Sequence, residues 1–238
     1  MAKKAVIITG GAKRVGAALA RYFAEAGYDI ALHYNRSSAD AKKLKKEIEK
    51  LGRTCALFAQ DLSDIKALPK LMKQVQKALP HCTALVNNAS VFERAELMET
   101  DEALFDRQFT VNFKAPFFLT QAFAKTFGKG CIINMLDTDI AQTQGSHFAY
   151  LLSKKVLADF TEMAARALGP DIRVNGVCPG IMLPSKELDM PYMKKLSQNV
   201  PLEMLAGLEH AVETVRWLCE QKTITGQLLF TDGGQHLL

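Results

Sequence analysis

The chain has 238 residues, 48% of them hydrophobic, which suits one large α/β domain with a sizeable core. Thirty basic against 25 acidic residues leave a net charge of +5, a mild excess that suits small anionic molecules and is too weak to argue for nucleic acid. No stretch approaches the roughly 20 apolar residues of a membrane span, and the apolar run after Lys3 and Lys4 is too short for a secretory leader.

The predicted elements follow one another in a regular order. Ala5–Thr9 is a short β-branched apolar run stopped by two glycines. A helical pattern covers 14–26, and another apolar run covers 28–34. The stretch AKKLKKEIEK at 41–50 carries much of the charge and reads as the wet face of a helix over 39–51, with Leu44, Ile48 and Leu51 turned inward. TCALFAQD at 54–61 is the third strand. Ile65, Leu68, Leu71, Val75 and Leu79 mark a helix by their spacing of three and four. TALVNNAS at 83–90 reads as a strand leading into a loop. Long helical segments cover 101–127 and 148–168, strands cover 131–136 and 172–180, and a last strand lies within 226–234. Between them, 181–205 is less regular and rich in Pro, Met and polar residues.

The strands are continuously apolar, as strands covered on both faces are. Alternation of strand and helix implies βαβ crossovers. The predicted fold is α/β: a single doubly wound (Rossmann) domain over 1–238, with about seven parallel strands and helices on both faces. The five cysteines (Cys55, Cys82, Cys131, Cys178 and Cys219) show no CxxC and no histidine at metal spacing, so they read as reduced thiols of a cytoplasmic protein without a metal site.

TGGAKRVG at 9–16 follows the first strand and opens the first helix. There a glycine turn lets the backbone approach a pyrophosphate, and the helix N-terminus supplies free N–H groups. The second strand ends in HYNRSS at 33–38, without the acid that would hold a ribose 2′-hydroxyl. Arg36 and Ser37 stand there, with Lys13 and Arg14 in the glycine loop, and a guanidinium beside a hydroxyl suits a 2′-phosphate. The cofactor is therefore predicted to be NADPH. Asp61, closing the third strand, can accept from an adenine amine or simply cap a turn.

Tyr150 and Lys154 lie at i and i+4 on one helix and share a face. A nearby ammonium lowers the pKa of a phenol, which ordinarily titrates near 10. Thirteen residues before the tyrosine stands Asp137, which as a carboxylate would raise that pKa.

Taken together, the glycine loop, NNAS at 87–90, VN at 111–112, Tyr150-x-x-Ser-Lys154 and PG at 179–180 resemble the short-chain dehydrogenase/reductase family over essentially the whole chain, Lys4 to about Gly234. Two departures narrow the resemblance. Arg14 replaces the middle glycine of the usual loop, and Asp137 replaces the usual serine. With HYNRS, NNASVF and the ending DGGQHL, these resemble the pteridine reductase and dihydromonapterin reductase branch. The branch implies an NADPH-dependent reductase of pterins or folates.

The resemblance implies further roles. Tyr150 is the proton donor, Lys154 holds the nicotinamide ribose, and Asn112 supports Lys154 through a water. Gly10, Val15, Gly16, Asn35, Leu62, Asn88 and Ala89 join the cofactor contacts. Pro179 and Gly180 seat the carboxamide. Ser90 and Arg14 contact pterin and phosphate, and Phe92 stacks on the pterin opposite the nicotinamide. Segment 181–205 covers the substrate. The assembly implied is a homotetramer through 101–127 and 148–168, with a neighbour's C-terminus near the site.

Asp137 then has a specific task. A pterin is reduced at a ring C=N, whose nitrogen must gain a proton as hydride arrives, and a protonated or proton-sharing Asp137–Tyr150 pair would supply it. Two other readings remain open at this point: a ketoreductase acting on a 3-oxoacyl thioester, and a non-catalytic NADPH-binding sensor.

Overall fold

The computed structural model describes residues 3–143, 145–183 and 190–238. One sheet of seven strands runs through the molecule in the order β3-β2-β1-β4-β5-β6-β7, paired in parallel at every step. The strands are β1 (Ala5–Ile8), β2 (Asp29–Tyr34), β3 (Cys55–Ala59), β4 (Cys82–Asn87), β5 (Gly130–Met135), β6 (Ile172–Pro179) and β7 (Leu228–Thr231). The helices are α1 (Arg14–Glu25), α2 (Ser38–Lys50), α3 (Leu68–Ala78), α4 (Glu102–Phe109), α5 (Ala115–Phe127), α6 (Phe148–Leu168), α7 (Met190–Ser197) and α8 (Leu208–Glu220).

Two cores sandwich the sheet because alternate strand residues face opposite ways. Val6 and Ile8 of β1 join Leu19, Phe23, Ile48 and Val215 from α1, α2 and α8. Ile7 joins Leu71, Val75, Leu119 and Phe123 from α3 and α5 on the other face. The strand order reverses between β1 and β4, and the crevice at their carboxyl ends is where open α/β sheets bind ligands.

The structure corrects the sequence reading in several places. The helix expected over 101–127 is two helices, α4 and α5, joined by a π-helical turn at Thr110–Lys114. Pro116 has no N–H to return to the carbonyl of Asn112, so the regular ladder opens there. Leu51 is 48% exposed rather than inward, because α2 ends at Lys50 and the chain turns away. β3 stops at Ala59, leaving Asp61 in the loop beyond. A 3-10 turn at Ile65–Ala67 precedes α3. α8 was not anticipated, although Ala211, Val212, Val215 and Leu218 carry helical spacing and are buried. The 181–205 segment contains α7, and its part at 184–189 lies outside the described residues. Among the described residues no helix is long and apolar enough to cross a membrane. All five cysteines are free thiols, four of them buried.

Candidate active site

The glycine loop borders the crevice between β1 and β4. Gly10 has φ +60, and a Cβ there would meet the Ala89 backbone. A Cβ on Gly16 would run into the Gly10 carbonyl, so the first turn of α1 packs directly on the loop. Arg14 also takes a positive φ, +50, at the position where the family's usual loop has glycine. Val15 packs half-buried against the core behind the loop. The far side of the loop is tied to the exit of β4: Asn88 Nδ2 donates to the carbonyls of Thr9 and Gly10 (2.9 and 3.3 Å). The backbone N–H groups of Asn88 and Ala89 both donate to Thr9 Oγ1 (2.9 and 3.0 Å).

A residue that the sequence reading passed over fixes the loop from the β2 side. His33 is buried, and its Nδ1 accepts from the Gly10 N–H at 3.1 Å. Its Nε2 lies 2.9 Å from the Gln60 carbonyl, which can only accept, so the ring proton sits on Nε2. Burial pushes the pKa of this ring down and keeps it neutral. The only sequence signal was its place in HYNRS, one residue before the end of β2.

Asn35 and Arg36 follow that strand and are exposed, with Ser37 half-buried behind them. Lys13 joins this edge and pairs with Asp40 at 3.1 Å. Asp61 Oδ1 accepts from both the N–H and the hydroxyl of Ser63 (2.9 and 2.8 Å). These bonds, with help from Asn35 and Arg36, hold its carboxyl below the usual range. Asp61 thus caps a turn and also borders the cationic edge, while Leu62 beside it is buried.

The chemistry-bearing groups meet at the carboxyl ends of β5 and β6. The Tyr150 hydroxyl donates to Asp137 Oδ2 at 2.7 Å, and the Asp139 N–H donates to Asp137 Oδ1 at 3.0 Å. Asp137 is therefore both the turn-capping residue and the partner of the phenol. Burial, then the charge and hydrogen bond of Asp137, push the Tyr150 pKa well above its ordinary value. The shift is upward, opposite to the one expected from Lys154. Lys154 is buried one helical turn on, its Nζ donating to the Met135 carbonyl at 2.8 Å. Burial lowers its pKa to about 8 against the opposing attraction of Asp137. Asp139 is half-buried, and burial together with the Asp137 charge raises its carboxyl to about 6.

Asn112 anchors the loop that follows β4. It is fully buried in the π-helical turn, and its side chain makes no direct bond to Lys154. Its Oδ1 accepts from the Val91 N–H (2.9 Å) and the Ser90 hydroxyl (3.0 Å). Its Nδ2 donates to the Val91 carbonyl at 2.9 Å and to Ser153 Oγ at 3.2 Å. The widened turn thereby anchors the loop that carries Ser90 and Phe92. Phe92 is 54% exposed, which excludes plain core packing. Its ring meets Tyr150 edge-on, centroids 4.7 Å apart.

Pro179 closes β6, and Gly180 lies so near Asp232 that a Cβ would clash with it. The chain's own C-terminal turn packs on the loop after Asp137. Gln142 Nε2 donates to the Gln235 carbonyl at 2.9 Å, and Asp232 accepts from Thr138 Oγ1 and from the His236 N–H.

The family model described as "short chain dehydrogenase" matches residues 4–190, and the chain belongs to that family. Pteridine reductase 1 of Leishmania tarentolae is 30% identical, over 97% of this chain and 96% of that protein. The dihydromonapterin reductase of Enterobacter sp. (strain 638) is 25% identical, over 99% of this chain and 98% of that protein. Among solved structures, FolM alternative dihydrofolate reductase 1 from Brucella suis, in complex with NADP, superposes with a TM-score of 0.94 at 34% identity. That match covers 98% of this chain and 95% of the other.

Proposed function

We propose that this chain is an NADPH-dependent reductase of pterins. The observation that carries the reading is the Asp137–Tyr150 bond beside the half-exposed face of Phe92. A ketone needs a neutral hydroxyl donor next to the tyrosine, and a carboxylate that accepts the phenol proton does not supply one. A flat nitrogen heterocycle needs an aromatic face and a proton for its ring nitrogen, and both lie together here. The pteridine reductase, dihydromonapterin reductase and alternative dihydrofolate reductase relatives support the same reading.

The residues present fit the dinucleotide. The bare backbone at Gly10 and Gly16 and the N-terminus of α1 suit the pyrophosphate. Arg36, Ser37, Asn35, Lys13 and Arg14 would hold the 2′-phosphate side, and Asp61 with Leu62 the adenine. Asn88, Ala89 and Ser90 would line the middle of the cofactor, with Val15 behind the loop. Pro179 and Gly180 would seat the nicotinamide, and Tyr150 and Lys154 its ribose. When bound, NADPH supplies a hydride.

The chain's own groups manage the proton. The proton of the Tyr150 hydroxyl lies between the Tyr150 and Asp137 oxygens. Tyr150 delivers it to the ring nitrogen beside the carbon that gains hydride, turning C=N into CH–NH. Asp137 holds the phenol in place, and the Lys154 ammonium offsets the negative charge left on the pair. Phe92 presents its face to the ring, with Ser90 and Arg14 at its polar edge. Exposed Phe105, Phe117, Leu152 and Met163 on α4, α5 and α6 support assembly as a homotetramer through these helices. The free thiols support a cytoplasmic setting.

The test is oxidation of NADPH with dihydromonapterin, dihydrobiopterin or dihydrofolate, run beside an acetoacetyl thioester. Turnover of a pterin and not of the thioester is expected. Turnover of the thioester alone would overturn the reading.

A further inference from the structure

Phe92 sits on an exposed loop, yet its ring is fixed on two sides. The imidazole of His147 lies parallel to it, centroids 4.3 Å apart and planes 16° apart. Tyr150 meets it at 89°. His147 belongs neither to the glycine loop nor to the proton pair. It is the residue immediately before α6 and stands three residues ahead of Tyr150, so one turn of chain brings both rings against Phe92.

The backbone reinforces this contact. Ala95 and His147 form an isolated parallel bridge, and the Phe148 N–H donates to the Ala95 carbonyl at 3.0 Å. At the near end of the same loop, Asn112 binds both backbone groups of Val91. The loop from Val91 to Ala95 is thus pinned at both ends, and the stack on His147 fixes the one aromatic side chain between them. An aromatic ring has two faces. His147 covers one face of Phe92, and the residue still keeps 54% of its surface exposed beside the stack.

We infer that His147 is a positioning residue: by stacking on Phe92 it sets the plane of that ring, and through it the plane in which a flat substrate lies beside Tyr150. This rests on the reading of Phe92 as the substrate's stacking face. Without the backing ring, Phe92 would sample other rotamers on an open loop, and each binding event would have to order it again. The cost falls on the pterin complex, because the glycine loop and cationic edge that suit NADPH are built without His147.

Two variants separate the stack from the polar chemistry of the ring. His147→Phe keeps an aromatic face and loses the ring nitrogens, including the one 3.1 Å from Ser146 Oγ. His147→Gln keeps a polar group and loses the face. The expected result is a pterin KM near the wild-type value for His147→Phe and roughly two- to tenfold higher for His147→Gln, the range a stacked pair supports. KM for NADPH should stay unchanged in both. Wild-type kinetics in His147→Gln, or an equal defect in both variants, would overturn the inference. A crystal structure of His147→Gln gives an independent reading. A Phe92 ring that keeps its plane would overturn the inference even if the wild type turned over no pterin, an outcome that by itself would count against the proposed function.

Discussion

Asn112 binds both backbone groups of Val91, its Oδ1 accepting from the N–H and its Nδ2 donating to the carbonyl, each at 2.9 Å. A residue in an interrupted helix thereby specifies the path of the loop that carries Ser90 and Phe92. Asn112→Ala would leave the Val91 N–H and carbonyl unpartnered, each costing about 1–3 kcal/mol when buried. Thermal unfolding should report a loss of about 2–4 kcal/mol. The KM for pterin should rise while NADPH affinity, measured by titration, stays close to wild type.

The Asp137–Tyr150 pair predicts a loss in the chemical step. Asp137→Ser should lower kcat for pterin reduction by about a hundredfold or more, the range of a lost acid–base contribution. Single-turnover kinetics with saturating NADPH check this, and full retention of activity would rule out the proposed role. Tyr150→Phe should fall as far. The double variant should lose little more, because the two residues act as one unit.

The cationic edge at the end of β2 predicts cofactor choice. Arg36→Glu places a carboxylate where a 2′-phosphate would lie. KM for NADPH should rise by more than tenfold, in line with the roughly 1.5–3 kcal/mol of a charged hydrogen bond. KM for NADH should hold or fall. Steady-state kinetics with the two cofactors side by side decide it.

Asp139 predicts a pH dependence of stability. Its carboxyl titrates near 6 in the folded chain against an ordinary 3.8, because burial and the Asp137 charge disfavour the anion. Between these values the folded state holds its proton more tightly than the unfolded state, so stability falls as pH rises through this window. Above the window the penalty is complete, and below it is gone. Asp139→Asn should therefore raise stability near neutral pH by about 1–3 kcal/mol, with the gain vanishing toward pH 4. Denaturant unfolding at two pH values measures the difference.

Much of this was legible in the sequence because it is written locally. The continuous apolar runs of β1, β4 and β5 and the intervening helical spacings specify a parallel sheet with helices on both faces. The position of TGGAKRVG between the first strand and the first helix marks the glycine loop. The missing acid and the present Arg36 indicate the charge of the cofactor edge. Tyr150 and Lys154 share a helical face by spacing alone.

Other features depend on which strand ends the sheet brings together, and neighbouring residues do not record that. Asp137 accepts the phenol proton only because the end of β5 packs against the start of α6, and Tyr150 is raised rather than lowered because that meeting is buried. Asn112 faces Val91 because Pro116 opens the helix at that turn. His33 reaches Gly10 only through the pairing of β2 with β1, and His147 reaches Phe92 only through the bridge at Ala95. Periodicity and composition set the class of fold and the charge of its edge. The protonation state and the aromatic geometry of the site come from burial and from contacts between residues far apart in the chain, and only the folded molecule fixes those.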